Sequence, residues 1–285
     1  MRVDCAGCAG CCIDWRAVAP DAVDLDHERR GGLVPLDDTY NLVPLSSDEV
    51  RAFARAGLGD AMTPRLFAAR EGPSVSVDGH DVAAVGGRPA FFVGLRKPPK
   101  PVAPFGLDPA WLPSCVFLDP ETLQCRVHGD DRYPDACGTY PADNLALDAE
   151  TECERVETAF GGERLLDSDP GDATPLLGTG ALGATVFAHP DADRLAGRVD
   201  RIAAGEPTVE DRAEFVGVAA ASRPGSLDVD ADRYETARET VVETDSWVGR
   251  AIAEWKRRAE ADAPDPKLAG DIEERRGAPE TAGWD

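Results

Sequence analysis

The sequence predicts an α+β protein in which a small, irregular, cysteine-rich domain with short helices and a β-hairpin is followed by an all-α C-terminal region. Three observations predict it. All eight cysteines fall within the first 153 of 285 residues. Strand and hairpin patterns lie between the two cysteine groups, and helical periodicity dominates beyond about residue 190. With 42% hydrophobic residues the chain is long and apolar enough to bury a core, which excludes a wholly disordered protein.

The elements follow in order. Ser46, Ser47, Asp48 and Glu49 form a capping box, with Leu45 and Val50 spaced as a hydrophobic staple. They open a helix to about Ala56 that Gly57 and Gly59 stop. Residues 64–70 read as a second short helix. Residues 74–82 alternate apolar and polar side chains about Asp78-Gly79, the signature of a hairpin, and residues 90–93 add a strand. Together these make an α+β insert over 28–113. Its last part, residues 95–113, carries six prolines and reads as a stiff connector.

After Cys153 comes Gly- and Asp-rich loop sequence over 161–183, and then helices. Leu195, Val199 and Ile202 share one face of a helix from about Asp191, and Thr208 caps another that ends near Ser222. The longest helix is expected over 230–261, where Tyr234, Ala237, Val241, Val248, Ile252, Trp255 and Ala259 form one stripe, read as core. From Pro264 the composition predicts a disordered tail. The domain reading is therefore a cysteine-cluster domain over 1–165, a helical region over 166–262 and a tail over 263–285.

Charge excludes further classes. The 53 acidic against 30 basic side chains give a net charge of -23 and would repel a phosphate backbone, so nucleic acid is not the partner. Only four of the basic residues are lysines, and Asp outnumbers Glu by 33 to 20. That is the surface of a halophilic, salt-adapted protein. The apolar runs are far shorter than the roughly 20 residues that span a bilayer. No membrane association is expected, and an N-terminus without an apolar signal region points to the cytoplasm. Gly178, Gly180 and Gly183 match a dinucleotide-binding glycine pattern, but Pro175 interrupts the strand it would need and His189-Pro190 ends the following helix, so a glycine loop is expected.

The cysteines carry the chemistry. Disulfides do not suit a reducing compartment, and inert core cysteines would not bunch as these do. In Cys5-Ala-Gly-Cys8-Ala-Gly-Cys11, sulfurs three residues apart can turn to one ion, while turn amides near Gly7 and Gly10 offset the thiolate charge. Neighbouring Cys11 and Cys12 should diverge; either they serve two metals or only one is a ligand. A ferredoxin run would place Cys-Pro where Trp15-Arg16 stand, and the radical-SAM triplet has three residues between its first two cysteines, so neither pattern fits.

The second group is Cys115-Val-Phe-Leu, Cys125-Arg-Val-His128, and Pro134-Asp-Ala-Cys137-Gly-Thr-Tyr-Pro141, with Cys153 beyond. These phrases, after CxxCxxCC, resemble the YkgJ-type cysteine-cluster proteins, described as zinc- or iron-chelating domains. The resemblance covers residues 1–160 and departs at Tyr133, which separates Arg132 from Pro134. It implies metal ligation by Cys5, Cys8, Cys11, Cys12, Cys115, Cys125, Cys137 and Cys153, with Zn2+ or an Fe–S cluster as the bound group. Eight cysteines allow two sites of four, a pair sharing sulfurs, or one four-iron cluster with four left over. His128 could replace one sulfur, though its spacing after Cys125 better suits an outer partner of a ligand, and Arg126 and Arg132 could offset thiolate charge. His27, His80 and His189 read as surface residues. The expected function is metal binding, with a metal ion as the partner and no protein partner specified. The alternative is an Fe–S oxidoreductase or a lysine-methylase-like enzyme, because a flagellin lysine methylase also resembles the cysteine pattern.

Overall fold

The computed structural model describes residues 2–21, 23, 25, 32–171, 178 and 180–282. The α+β class holds, with β-rich sheets in the N-terminal part and several helices in the C-terminal part. The chain forms two compact units that interleave along the sequence. The first takes Met1–Asp26, Arg96–Pro175 and Trp247–Asp285, and the second takes His27–Leu95 and Leu176–Ser246. The linear order expected from composition is thus replaced: the cysteine-bearing segments share a unit with the last helices.

In chain order the first unit begins with β1 (Arg2–Val3). The second contributes β2 (Leu33–Pro35), α1 (Ser47–Arg55), β3 (Met62–Ala69), β4 (Ser74–Val77), β5 (His80–Val85) and β6 (Arg88–Leu95). The first resumes with β7 (Pro99–Val102), β8 (Ala110–Pro113), α2 (Asp135–Thr139), α3 (Ala142–Ala146), α4 (Glu152–Phe160) and β9 (Leu165–Asp167). The second adds β10 (Phe187–Ala188), α5 (Arg198–Ala203), α6 (Val209–Ala221) and α7 (Ala231–Glu243), and the first closes with α8 (Trp247–Ala259) and α9 (Pro266–Arg275).

The second unit is an antiparallel sheet in the order β10-β6-β3-β5-β4, with β2 added on β3. Its entry helix α1 starts where the sequence places it: the Ser46 hydroxyl accepts from the Glu49 amide, the Glu49 carboxylate accepts from the Ser46 amide, and Leu45 and Val50 are both fully buried. The β4–β5 hairpin turns at Asp78 and Gly79, both with positive φ, as a two-residue turn between twisted strands requires. Residues 64–70, expected as a helix, lie instead in β3. Met62, Pro64 and Leu66 are buried while Thr63, Arg65 and Phe67 are less so, a period of two that outweighs the helix-forming composition. The helix expected from Asp191 is broken by Gly197 at φ 72, so α5 starts late, and the Asp78 carboxylate accepts from the Gly197 and Val199 amides at its start. Its neighbour α6 is buried at every position from Asp211 to Ala221, and Phe215 packs edge-on against Phe91 at 4.9 Å.

In the first unit the proline-rich segment is no simple connector, because β7 and β8 pair over Pro99–Pro113 as a two-stranded ribbon. Alternation puts Pro99 and Pro101 on one face and turns Lys100 and Val102, both fully buried, to the other. The long helix expected over 230–261 is two helices. The chain turns extended at Thr244, and the stripe divides: Tyr234, Ala237 and Val241 are buried in the second unit, Val248, Ile252 and Trp255 in the first. The tail expected to be disordered from 263 forms α9, capped by Asp265, with Ala269, Ile272 and Glu273 buried. A charge inside a buried pair gave composition no signal, as Glu273 shows below.

Candidate metal centre

All eight cysteines belong to the first unit and all are free thiols. Five stretches of chain bring them there. Cys5 leaves β1, which pairs with β9 through Arg2 opposite Asp167, and the Cys8 amide donates to the Cys5 carbonyl at 3.1 Å. Cys11 and Cys12 lie in the single turn of 3-10 helix over Gly10–Cys12. That turn meets α4, whose first turn carries Cys153; a Cβ on Gly10 would come within 2.7 Å of Val156 Cγ2, so only glycine permits the approach. On the other side, the Cys115 amide donates to the Cys12 carbonyl at 2.8 Å, and Ile13 bridges to Ser114. Leu118 bridges to Cys125, folding the second cysteine pair into a small hairpin, and Cys137 sits in α2.

The geometry therefore separates the thiols on either side of Cys11 and Cys12, whose sulfurs are 4.0 Å apart. The two sulfurs share a hydrogen bond, which lowers the Cys11 pKa, with help from the charge of Lys97, and raises that of Cys12. Burial pushes the Cys5, Cys125 and Cys153 thiols up to about 12. Burial likewise raises Cys8, Cys115 and Cys137. A Cys11 thiolate raises each of the other seven. Beyond that shared member the couplings form two sets: Cys5 and Cys8 act on Cys153, while Cys115 acts on Cys12, Cys125 and Cys137.

Among the described residues no group of three or more His, Cys, Asp or Glu side chains stands so that it could hold a metal ion as placed. The fit to zinc or an iron–sulfur group is one of donor chemistry and location.

Other predicted residues behave differently. His128 is exposed, its amide donates to the Cys125 carbonyl, and its ring packs edge-on to Tyr133 at 5.0 Å. Arg126 turns from the thiols to Glu273 at 2.7 Å and Asp119 at 3.1 Å, and Arg132 pairs with Asp130 on an exposed loop. His80 pairs with Asp200 at 3.0 Å. His189, expected at the surface, is 1% exposed. Its Nδ1 accepts from the Asp191 amide, so Nε2 carries the proton to Glu214 at 3.0 Å, and the Tyr234 hydroxyl donates to the same oxygen. His27, like Pro175 and Thr179 of the glycine run, lies outside the described residues.

Sequence reasoning missed the cations that do face the thiols. Lys97 Nζ donates to the Cys11 carbonyl at 3.0 Å, and Lys100 Nζ donates to the Val116 and Leu118 carbonyls at 2.9 and 2.6 Å, around the Cys115 turn. The available signal was rarity: two of the chain's four lysines precede Cys115. Trp15 is fully buried, donates from Nε1 to buried Glu152 at 2.9 Å and packs on Phe105 and Phe160.

A family model described as a family of unknown function (DUF7531) matches residues 1–285. No curated protein and no solved structure matches the chain. The full-length match overturns the YkgJ-type assignment drawn from the cysteine phrases over residues 1–160. Cysteine spacing alone is shared by unrelated metal-binding chains, and it covered little more than half of this one. Among the described residues no helix is long and apolar enough to cross a membrane.

Proposed function

The chain belongs to the DUF7531 family, and we propose that it is a metal-binding protein with two thiolate centres, one on Cys5, Cys8, Cys11 and Cys153, the other on Cys12, Cys115, Cys125 and Cys137. The observation that carries this reading is the Cys11–Cys12 pair. Its sulfurs stand 4.0 Å apart in one tight turn, and one side of that turn meets the helix of Cys153 while the other is bonded to the Cys115 strand. A turn that meets one cysteine-bearing stretch on one side and another on the other makes a junction at which two sites can adjoin through these two sulfurs.

Four thiolates suit zinc and iron–sulfur chemistry alike. Bound zinc would supply a crosslink, and an iron–sulfur cluster would supply a one-electron couple. The chain's own contribution is to bring five distant stretches together, shelter the sulfurs from water and donate hydrogen bonds from turn amides. Near Cys8 and Cys115 those amides belong to Gly10 and Phe117.

Anaerobic purification followed by elemental analysis and an absorption spectrum tests the reading. Two zinc ions per chain in a colourless protein, or iron with sulfide and a band at about 400 nm, supports it. Cys12→Ser and Cys153→Ser should each remove a different half of the metal. A wild-type chain without stoichiometric metal, or both variants losing the same single site, would overturn it.

A further inference from the structure

An exposed cation is solvated by water, but a sheltered one needs an anion. Carboxylates are abundant here, at 53 against 30 basic side chains, and sheltered Arg65, Lys100 and Arg126 all find them. Two cations beside the thiols make no such ion pair among the described residues, although the charge of buried Glu152 reaches Lys97. Lys97 is half-buried, makes no ion pair among the described residues and spends one hydrogen bond on the Cys11 carbonyl. Arg164 is half-buried too; its Nε is buried with no hydrogen-bond partner, and it makes no ion pair among the described residues. Both are fixed next to cysteines by the backbone. The Asp4 amide, one residue before Cys5, donates to the Arg164 carbonyl at 2.7 Å where β9 begins. Lys97 precedes β7 and reaches the turn that carries Cys11 and Cys12.

We propose that Lys97 and Arg164 are the counter-charges of the two centres, Arg164 serving the one that contains Cys5 and Cys8, and Lys97 the one that contains Cys12 and Cys115. This rests on the two-centre reading above. A divalent ion held by four thiolates keeps a net charge of about -2. Two such centres in one unit of a strongly acidic chain would repel each other and the surrounding carboxylates, and one sheltered cation apiece offsets that. The backbone divides the two cations: the Asp4 amide ties Arg164 to the Cys5 stretch, whereas the Ser114 and Val116 amides donate to the Pro98 and Arg96 carbonyls at 2.9 and 3.1 Å and set Lys97 beside Cys115. Both are positioning residues that act through the ligands.

The test is zinc affinity of the full chain, measured by competition with a chromophoric chelator. In the wild type two sites should titrate. Lys97→Met should weaken by about tenfold the site that Cys12→Ser abolishes, and Arg164→Met by about tenfold the site that Cys153→Ser abolishes. In each variant the other site should bind as in the wild type, which also reports that the unit has folded. Lys97→Arg should recover most of the loss, and exposed Lys256→Met should change neither site. Wild-type affinity in both variants, or equal weakening of both sites by either one, overturns the assignment of one cation to each centre. A wild-type chain that takes up no metal instead overturns the two-centre function itself, so the two failures are distinguishable.

Discussion

Lys100 Nζ lies 2.9 Å from the Glu273 carboxylate, and neither side chain is exposed. The other carboxylate oxygen takes the Arg126 guanidinium at 2.7 Å. One residue of α9 thus neutralises two cations, one from the β7 strand and one directly after Cys125, and Lys100 also sits 4.5 Å over the Trp255 ring of α8. Replacing Glu273 by Gln keeps the shape and removes the charge. Glu273→Gln is expected to cost about 3–5 kcal/mol, because two buried cations lose their shared anion. Urea unfolding followed by tryptophan fluorescence measures it, and a cost under about 1 kcal/mol would mean that Asp119 and the carbonyls already satisfy both cations.

Stripping metal should act on the cysteine segments first. Those stretches share few long strands or helices of their own, so the proposed metal binding would be coupled to their folding. Hydrogen exchange on the chelated protein is expected to show lost protection over residues 5–18 and 115–153, with the β3 and β6 amides of the second unit unchanged. Equal protection with and without metal would remove the structural role of the centres.

What the sequence made legible was local and chemical. The Ser46 and Thr208 caps, the Asp78-Gly79 turn and the gathering of cysteines are each written in a few adjacent residues whose physics does not depend on the rest of the chain. Long-range placement was not legible. Residues 62–69 have helix-forming side chains yet become a strand because β6 pairs along them, from Met62 opposite Leu95 to Leu66 opposite Phe91. The stripe from Tyr234 to Trp255 keeps helical spacing across the break at Thr244, so periodicity alone reads it as one helix. Glu273 and Lys100 look like surface residues until their pairing is known, and with them the ordered C-terminal helix was hidden. In the candidate site, the bunching of the cysteines was legible from spacing, whereas the contacts of the Cys11–Cys12 turn with α4 and with the Cys115 stretch, and the placement of Lys97 and Arg164 beside the cysteines, required the fold.

Gly183 provides a backbone test in the second unit. Its φ is +70, and an added Cβ would lie 2.1 Å from the Arg223 carbonyl oxygen and 3.0 Å from that of Ser226. The neighbouring Gly225 amide donates to the Leu182 carbonyl at 2.7 Å, so neither loop can withdraw without losing a bond. Gly183→Ala should therefore destabilise by about 3 kcal/mol or more, combining left-handed strain with the clash. A melting temperature within a degree or two of wild type would show that the loop pair shifts freely.

Asp211 supplies the pH dependence. Its carboxylate is fully buried and accepts from Arg201 at 2.6 and 2.7 Å, from Arg198 at 2.8 Å and from the Thr208 amide at 3.0 Å. Burial alone would raise its pKa, but the hydrogen bonds from Arg201 and Thr208 and the charge of Arg201 outweigh burial and hold it down to about 2. A carboxylate whose folded pKa lies below its unfolded value, near 3.8, adds stability above pH about 4 and loses it as pH falls through about 2. Arg201 is partly exposed, so salt screens part of the gain. Asp211→Asn should cost about 1–2 kcal/mol at pH 7, less in high salt, and the wild-type and variant stabilities should converge as pH falls from 4 towards 2. Urea unfolding of both proteins between pH 7 and pH 3 follows this, and a gap that stays constant to pH 3 and is insensitive to salt would assign the loss to the altered cap instead of the charge.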